Sequence, residues 1–107
     1  MSDCTPEELK KRIDAGRPPI LLDVRQPEEI AIAAIPGAMA IPMGEVPARL
    51  MNIDIHMEEE IVVLCHHGMR SASVVGFLRS HGFEKVRNLV GGIDAYSLSA
   101  DPSIPRY

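Results

Sequence analysis

Residues 61–80 read IVVLCHHGMRSASVVGFLRS, and this stretch decides the fold. Ile61-Val62-Val63-Leu64 is the most β-prone run in the chain, because branched aliphatic side chains suit a pleated surface. Cys65 stands at its carboxyl end. Beyond the loop His66 to Arg70, the segment Ser71 to Ser80 places Ala72, Val75, Phe77 and Leu78 near a helical period, with Gly82 as terminator. Strand, short loop and helix follow one another directly.

The same alternation continues outward in both directions. Upstream, Thr5-Pro6-Glu7-Glu8 joins an N-cap hydroxyl, a first-turn proline and a glutamate that reaches back to the cap, predicting a helix over Pro6 to Ala15 closed by Gly16. Ile20-Leu21-Leu22 is apolar without alternation, which predicts a strand covered on both faces, closed by Asp23-Val24-Arg25. Gln26 to Ala34 reads as a helix, Ala38 to Ile41 as a short strand and Glu45 to Met51 as a helix, with Asp54 to Glu60 as a charged, exposed connection. Downstream, Val86 to Leu89 is a strand, Gly91-Gly92 a turn and Ile93 to Leu98 a short helix. Two prolines forbid regular structure in the tail Asp101 to Tyr107. Right-handed crossovers turn this order into a three-layer α/β domain with a largely parallel sheet.

Composition fits one such domain. The 107 residues suffice for a single core spanning 1–107, and 46% hydrophobic with 24% charged residues excludes disorder. A net charge of −4 repels phosphate backbones and anionic lipid, and four aromatic residues offer no base-stacking surface, so neither nucleic acid nor membrane is an expected partner. Two cysteines, Cys4 and Cys65, form no C-x-x-C pair, which speaks for a reducing compartment, the cytoplasm by default. Neither a metal nor a cofactor is expected.

Ligands of open α/β sheets bind beyond the carboxyl ends of the strands, where Cys65-His66-His67-Gly68-Met69-Arg70-Ser71 lies. Backbone N–H groups of a tight loop, followed by the positive end of a helix, form an anion cradle that favours thiolate over thiol. Gly68 permits the curl, and Arg70 adds a permanent cation whose forked donors suit an oxyanion. An inert, buried strand-end cysteine beside an incidental arginine is the competing reading.

Several segments, taken in order, resemble the rhodanese domain. They are Leu22-Asp23-Val24-Arg25 with Pro27-Glu28-Glu29, Ile35-Pro36-Gly37-Ala38, Ile41-Pro42, the C-x-x-G-x-R-S loop at Cys65 to Ser71, Gly82-Phe83, and Asn88-Leu89-x-Gly91-Gly92-Ile93. The resemblance implies a five-stranded parallel sheet with helices on both faces, and a sulfurtransferase whose cysteine carries sulfane sulfur as a persulfide. It implies Cys65 as the nucleophile and the N–H groups of His66, His67, Gly68, Met69, Arg70 and Ser71 as the cradle. Expected partners are small sulfur anions such as thiosulfate, or protein persulfide donors, with cyanide or a thiol as acceptor. The loop is one residue shorter between cysteine and arginine than in the related dual-specificity phosphatases, which disfavours a phosphatase-like enzyme. A rhodanese-like interaction or regulatory module is the alternative from another class. Ala34 and Tyr96 depart from the histidine and tryptophan common in the family. The tail resembles the end of rhodanese domains fused to adenylating enzymes.

His66 and His67 read as solvent-facing loop residues, since adjacent imidazoles seldom converge on one ion. Asp23 and Arg25 read as an ion pair or loop anchor, Cys4 as a bystander near a mobile terminus, and Glu58-Glu59-Glu60 as a solvated surface.

Overall fold

Residues 3–52 and 55–107 are described in a computed structural model. Among these described residues the elements run β1 (Asp3–Cys4), α1 (Pro6–Asp14), β2 (Ile20–Asp23), α2 (Pro27–Ile32), β3 (Met39–Ala40), α3 (Val46–Arg49), β4 (Ile61–Leu64), α4 (Met69–Ser80), β5 (Val86–Leu89) and α5 (Gly92–Ser99). The strands form one five-stranded sheet in the order β1-β5-β4-β2-β3, and every pair is parallel.

The apolar runs lack polar alternation because both faces of the sheet are covered. On one face Leu22, Val24, Ile61, Val63, Cys65 and Val86 pack with Val46 of α3 and with Val74, Val75 and Leu78 of α4. On the other, Leu21, Val62, Leu64 and Leu89 pack with Leu9 of α1 and with Ile93 and Tyr96 of α5. Each such aliphatic side chain contributes about 1.5–3 kcal/mol when fully buried. Register aligns Asp23 with Leu64, so the ends of the two central strands lie side by side. That alignment sets Asp23, Val24 and Arg25 beside Cys65.

The structure departs from the expected elements in several places. Cys4 is not at a loose end: β1 pairs Cys4 with Leu89, and the thiol is buried. Two residues are too few to show a periodic pattern. Helix α4 begins at Met69 rather than Ser71, because Gly68 takes the left-handed N-cap position with φ of 105°. Helix α2 is shorter than expected, ending at Ile32, since Ala33 turns extended and buries its methyl group. The expected helix over Glu45 to Met51 divides into 3-10 turns at Met43–Glu45 and Leu50–Asn52 around α3, with Gly44 and Pro47 interrupting the run. The strand near residue 40 spans only Met39–Ala40, and α5 extends one residue beyond its expected span at each end. Of the charged connection, Asp54 lies outside the described residues; Glu58, Glu59 and Glu60 are exposed, and Glu60 pairs with Arg12 at 2.9 Å. The irregular tail packs down through buried Ile104, whose carbonyl accepts from Ser97. Among the described residues, no helix is long and apolar enough to cross a membrane.

Candidate active site

Strand β4 delivers Cys65, and the turn at Gly68 folds the following backbone over its sulfur. The N–H of Gly68 donates to Cys65 Sγ at 3.0 Å and the N–H of Ser71 at 3.4 Å. Ser71 Oγ lies 3.3 Å from the same sulfur. Ser71 has a single hydroxyl proton, however, and Asn88 Oδ1 accepts it over a short distance. The Asn88 amide cannot flip to release it, because its Nδ2 donates to the Gly68 carbonyl at 3.0 Å. The backbone N–H groups are thus the donors always aimed at a Cys65 thiolate, and the Ser71 hydroxyl serves it only when it turns from Asn88.

Burial alone would raise the Cys65 pKa, yet its hydrogen bonds to Ser71, Gly68 and His67 outweigh that effect and bring it below the ordinary thiol value. Cys4 moves the other way. Burial and the nearby Glu8 carboxylate push it up to about 11. Both thiols are buried, so exposure does not separate them, whereas these opposite shifts do. Since thiolate is the reactive form and its fraction rises with pH through the pKa, Cys65 is expected to react with iodoacetamide at neutral pH. Cys4 is expected to react only after denaturation. Peptide mapping of labelled protein checks this, and equal labelling of both cysteines in the folded chain would contradict it.

Helix α5 supports the loop from below. The N–H groups of Ile93 and Asp94 donate to the carbonyls of Cys65 and His66 at 2.9 and 3.1 Å. A Cβ at Gly92 would sit 2.5 Å from the Cys65 carbonyl oxygen and 2.4 Å from that of His66, and its φ of 65° already favours glycine. Only glycine allows this close docking.

Around the rim the structure adds residues that sequence reasoning missed. Glu29 grips Arg70, its Oε2 and Oε1 accepting from Nη1 and Nη2 at 2.7 and 2.9 Å. Tyr107 Oη donates to Glu29 Oε1 at 2.9 Å and accepts from Arg25 Nη1 at 2.9 Å. Arg25 in turn pairs with Asp23 at 2.6 Å, both buried, as the ion-pair reading expected. Held chiefly by Arg70, Glu29 has its pKa drawn down to about 2. The forked donors of Arg70 thus meet a carboxylate of the chain itself. The helix-start pattern at Pro27-Glu28-Glu29 is visible in the sequence; the reach of Glu29 to Arg70 and Tyr107 is not.

His66 also departs from expectation. It is half-buried rather than solvent-facing, stacked at 3.8 Å on the Tyr107 ring, while His67 is exposed as expected. His66, His67 and Asp94 each place one ligand-type atom within 4.8 Å of the others. The two imidazoles lie 3.9 Å apart with planes at 32°, and Arg106 holds Asp94 at 2.9 Å. That arrangement suits stacking and an ion pair better than a metal ion.

The family model for the rhodanese-like domain matches residues 5–99. The chain belongs to the rhodanese-like family. This rhodanese-like domain is 38% identical to "Putative sulfurtransferase YtwF" of Bacillus subtilis, over 88% of each chain. It is 45% identical to "Rhodanese-like/PpiC domain-containing protein 12, chloroplastic" of Arabidopsis thaliana over 81% of its own length. It spans between 22% and 30% of the length of three curated relatives, the Arabidopsis protein among them. The crystal structure of SSP1007 from Staphylococcus saprophyticus superposes with a TM-score of 0.83 at 34% identity, covering 99% of this rhodanese-like domain and 100% of that chain.

Proposed function

We propose that the protein is a sulfurtransferase in which Cys65 takes sulfane sulfur from thiosulfate or a persulfide donor, holds it as a persulfide, and passes it to a thiol or cyanide. The observation that carries this reading is the convergence of the Gly68 and Ser71 N–H groups on Cys65 Sγ. Donors that hold a thiolate before reaction also hold the terminal sulfur of a persulfide after it, because the negative charge moves by one atom. The names of the relatives agree with sulfur transfer in general.

In the first half-reaction the thiolate attacks the outer sulfur of the donor, forming the new S–S bond as the old one breaks. The remainder leaves as sulfite or as a thiolate. In the second, the acceptor attacks the terminal sulfur and Cys65 departs as thiolate, restored for another cycle. Intact-mass measurement after exposure to each donor is expected to show the mass of one added sulfur atom, released by cyanide as thiocyanate. Hydrolysis of an aryl phosphate without sulfur gain from any donor would replace this reading with phosphatase chemistry.

A further inference from the structure

The proposed reaction leaves open which kind of donor the cradle favours, and the contacts of Arg70 bear on that choice. We propose that Glu29, braced by Tyr107, neutralises Arg70 and so makes a thiol persulfide the preferred donor over thiosulfate. This inference rests on the sulfur-transfer reading above and names its substrate class.

The two donors place different charge at the rim. With thiosulfate, the Cys65 thiolate and the dianion yield a Cys65 persulfide anion and a sulfite dianion. Three negative charges share the cradle throughout, and the leaving group needs a free cation to offset two of them. With a neutral persulfide, R–S–SH, the Cys65 thiolate yields Cys65–S–SH and the thiolate R–S⁻. One negative charge passes through, and no anionic head group enters.

Arg70 would be that free cation were it unpaired, since it stands in the same loop as Cys65 and the charge of Cys65 is felt at its guanidinium. Instead both of its terminal nitrogens meet Glu29, whose own position is fixed twice more. Its Oε2 accepts from the Gln26 N–H at 3.0 Å as part of the α2 cap, and its Oε1 accepts from Tyr107. With a pKa near 2, Glu29 stays ionised at any pH where the protein works, so the pair is not released by protonation. The residue beside Arg70 is Met69, 82% exposed, so the rim offers an uncharged carrier an apolar contact. Glu29 is a positioning residue, acting through Arg70.

The test measures kcat and KM of the full chain for thiosulfate and for the persulfide of N-acetylcysteine methyl ester, which carries no carboxylate, with cyanide as acceptor. Glu29→Gln keeps the side chain's size and removes its charge, and is expected to raise the thiosulfate-to-persulfide ratio of kcat/KM about tenfold, which corresponds to 1.4 kcal/mol. The gain is expected in the thiosulfate KM rather than in kcat. Adding Arg70→Ala is expected to abolish it. Tyr107→Phe preserves the α2 cap, so it serves even if Glu29→Gln fails to fold; it is expected to raise the ratio about threefold, again by freeing Arg70. A ratio that does not rise in a folded variant, or a rise that survives Arg70→Ala, would overturn the assignment of Glu29. Absence of sulfur gain from both donors in the unaltered protein would instead overturn the sulfur-transfer reading, and this proposal with it.

Discussion

Replacing Cys65 with serine is expected to lower sulfur transfer by on the order of a thousandfold or more, the scale of loss seen when a covalent nucleophile is removed. A serine hydroxyl remains protonated where a thiol with a lowered pKa ionises, and an oxygen cannot store sulfane sulfur as a persulfide. The fold should survive, because the smaller Oγ can still accept from the Gly68 and Ser71 N–H groups that now hold Sγ. Thiocyanate formation and thermal unfolding of the same preparation check both halves. Transfer retained at more than a few per cent in a folded variant would show that sulfur does not travel through this residue. Cys4→Ser, altering a thiol held at about 11, should leave transfer near its original rate.

The largest effect on stability is expected at Arg25. Its side chain is wholly buried and donates to both carboxylate oxygens of Asp23, to the Glu29 and Ala33 carbonyls and to Tyr107. Arg25→Ala would leave the Asp23 carboxylate buried without its partner, a change that costs about 3–5 kcal/mol. Against a total stability of roughly 5–15 kcal/mol, the variant would stand at the margin of folding. Urea unfolding should show a lower midpoint with little change in slope. Arg25→Lys should recover only part of the loss, since a single ammonium cannot reproduce a fork that reaches five acceptors. A cost below about 1 kcal/mol for Arg25→Ala would mean that other contacts hold these strand ends in place.

The sheet and the nucleophile were legible because their signals are local. Ile20 to Leu22 and Ile61 to Leu64 are apolar runs that need no partner to be recognised, and Gly68 with Gly82 brackets a helix within a few residues. The loop motif named its own cysteine in the same way. What stayed hidden depends on distance along the chain. Glu29 meets Arg70 across 41 positions and Tyr107 across 78, and no periodicity links such residues. Asn88 reads as part of a strand and of a family segment but without a role of its own, because its grip on Gly68 and Ser71 exists only once β5 lies beside β4. Strand β1 was missed for a different reason. Its two residues are recruited by the edge of β5 and have no pattern of their own.

The place of Tyr107 also determines what light can report about this protein. The chain has no tryptophan and two tyrosines, so its ultraviolet emission divides between Tyr96, enclosed in the core, and Tyr107, stacked on His66. A Tyr96→Phe substitution would leave a single emitter whose phenol is bound to Glu29 and whose ring lies against the loop that carries Cys65. Quenching of that one signal would then record events at the rim in real time, with no dye attached and no label to perturb the loop.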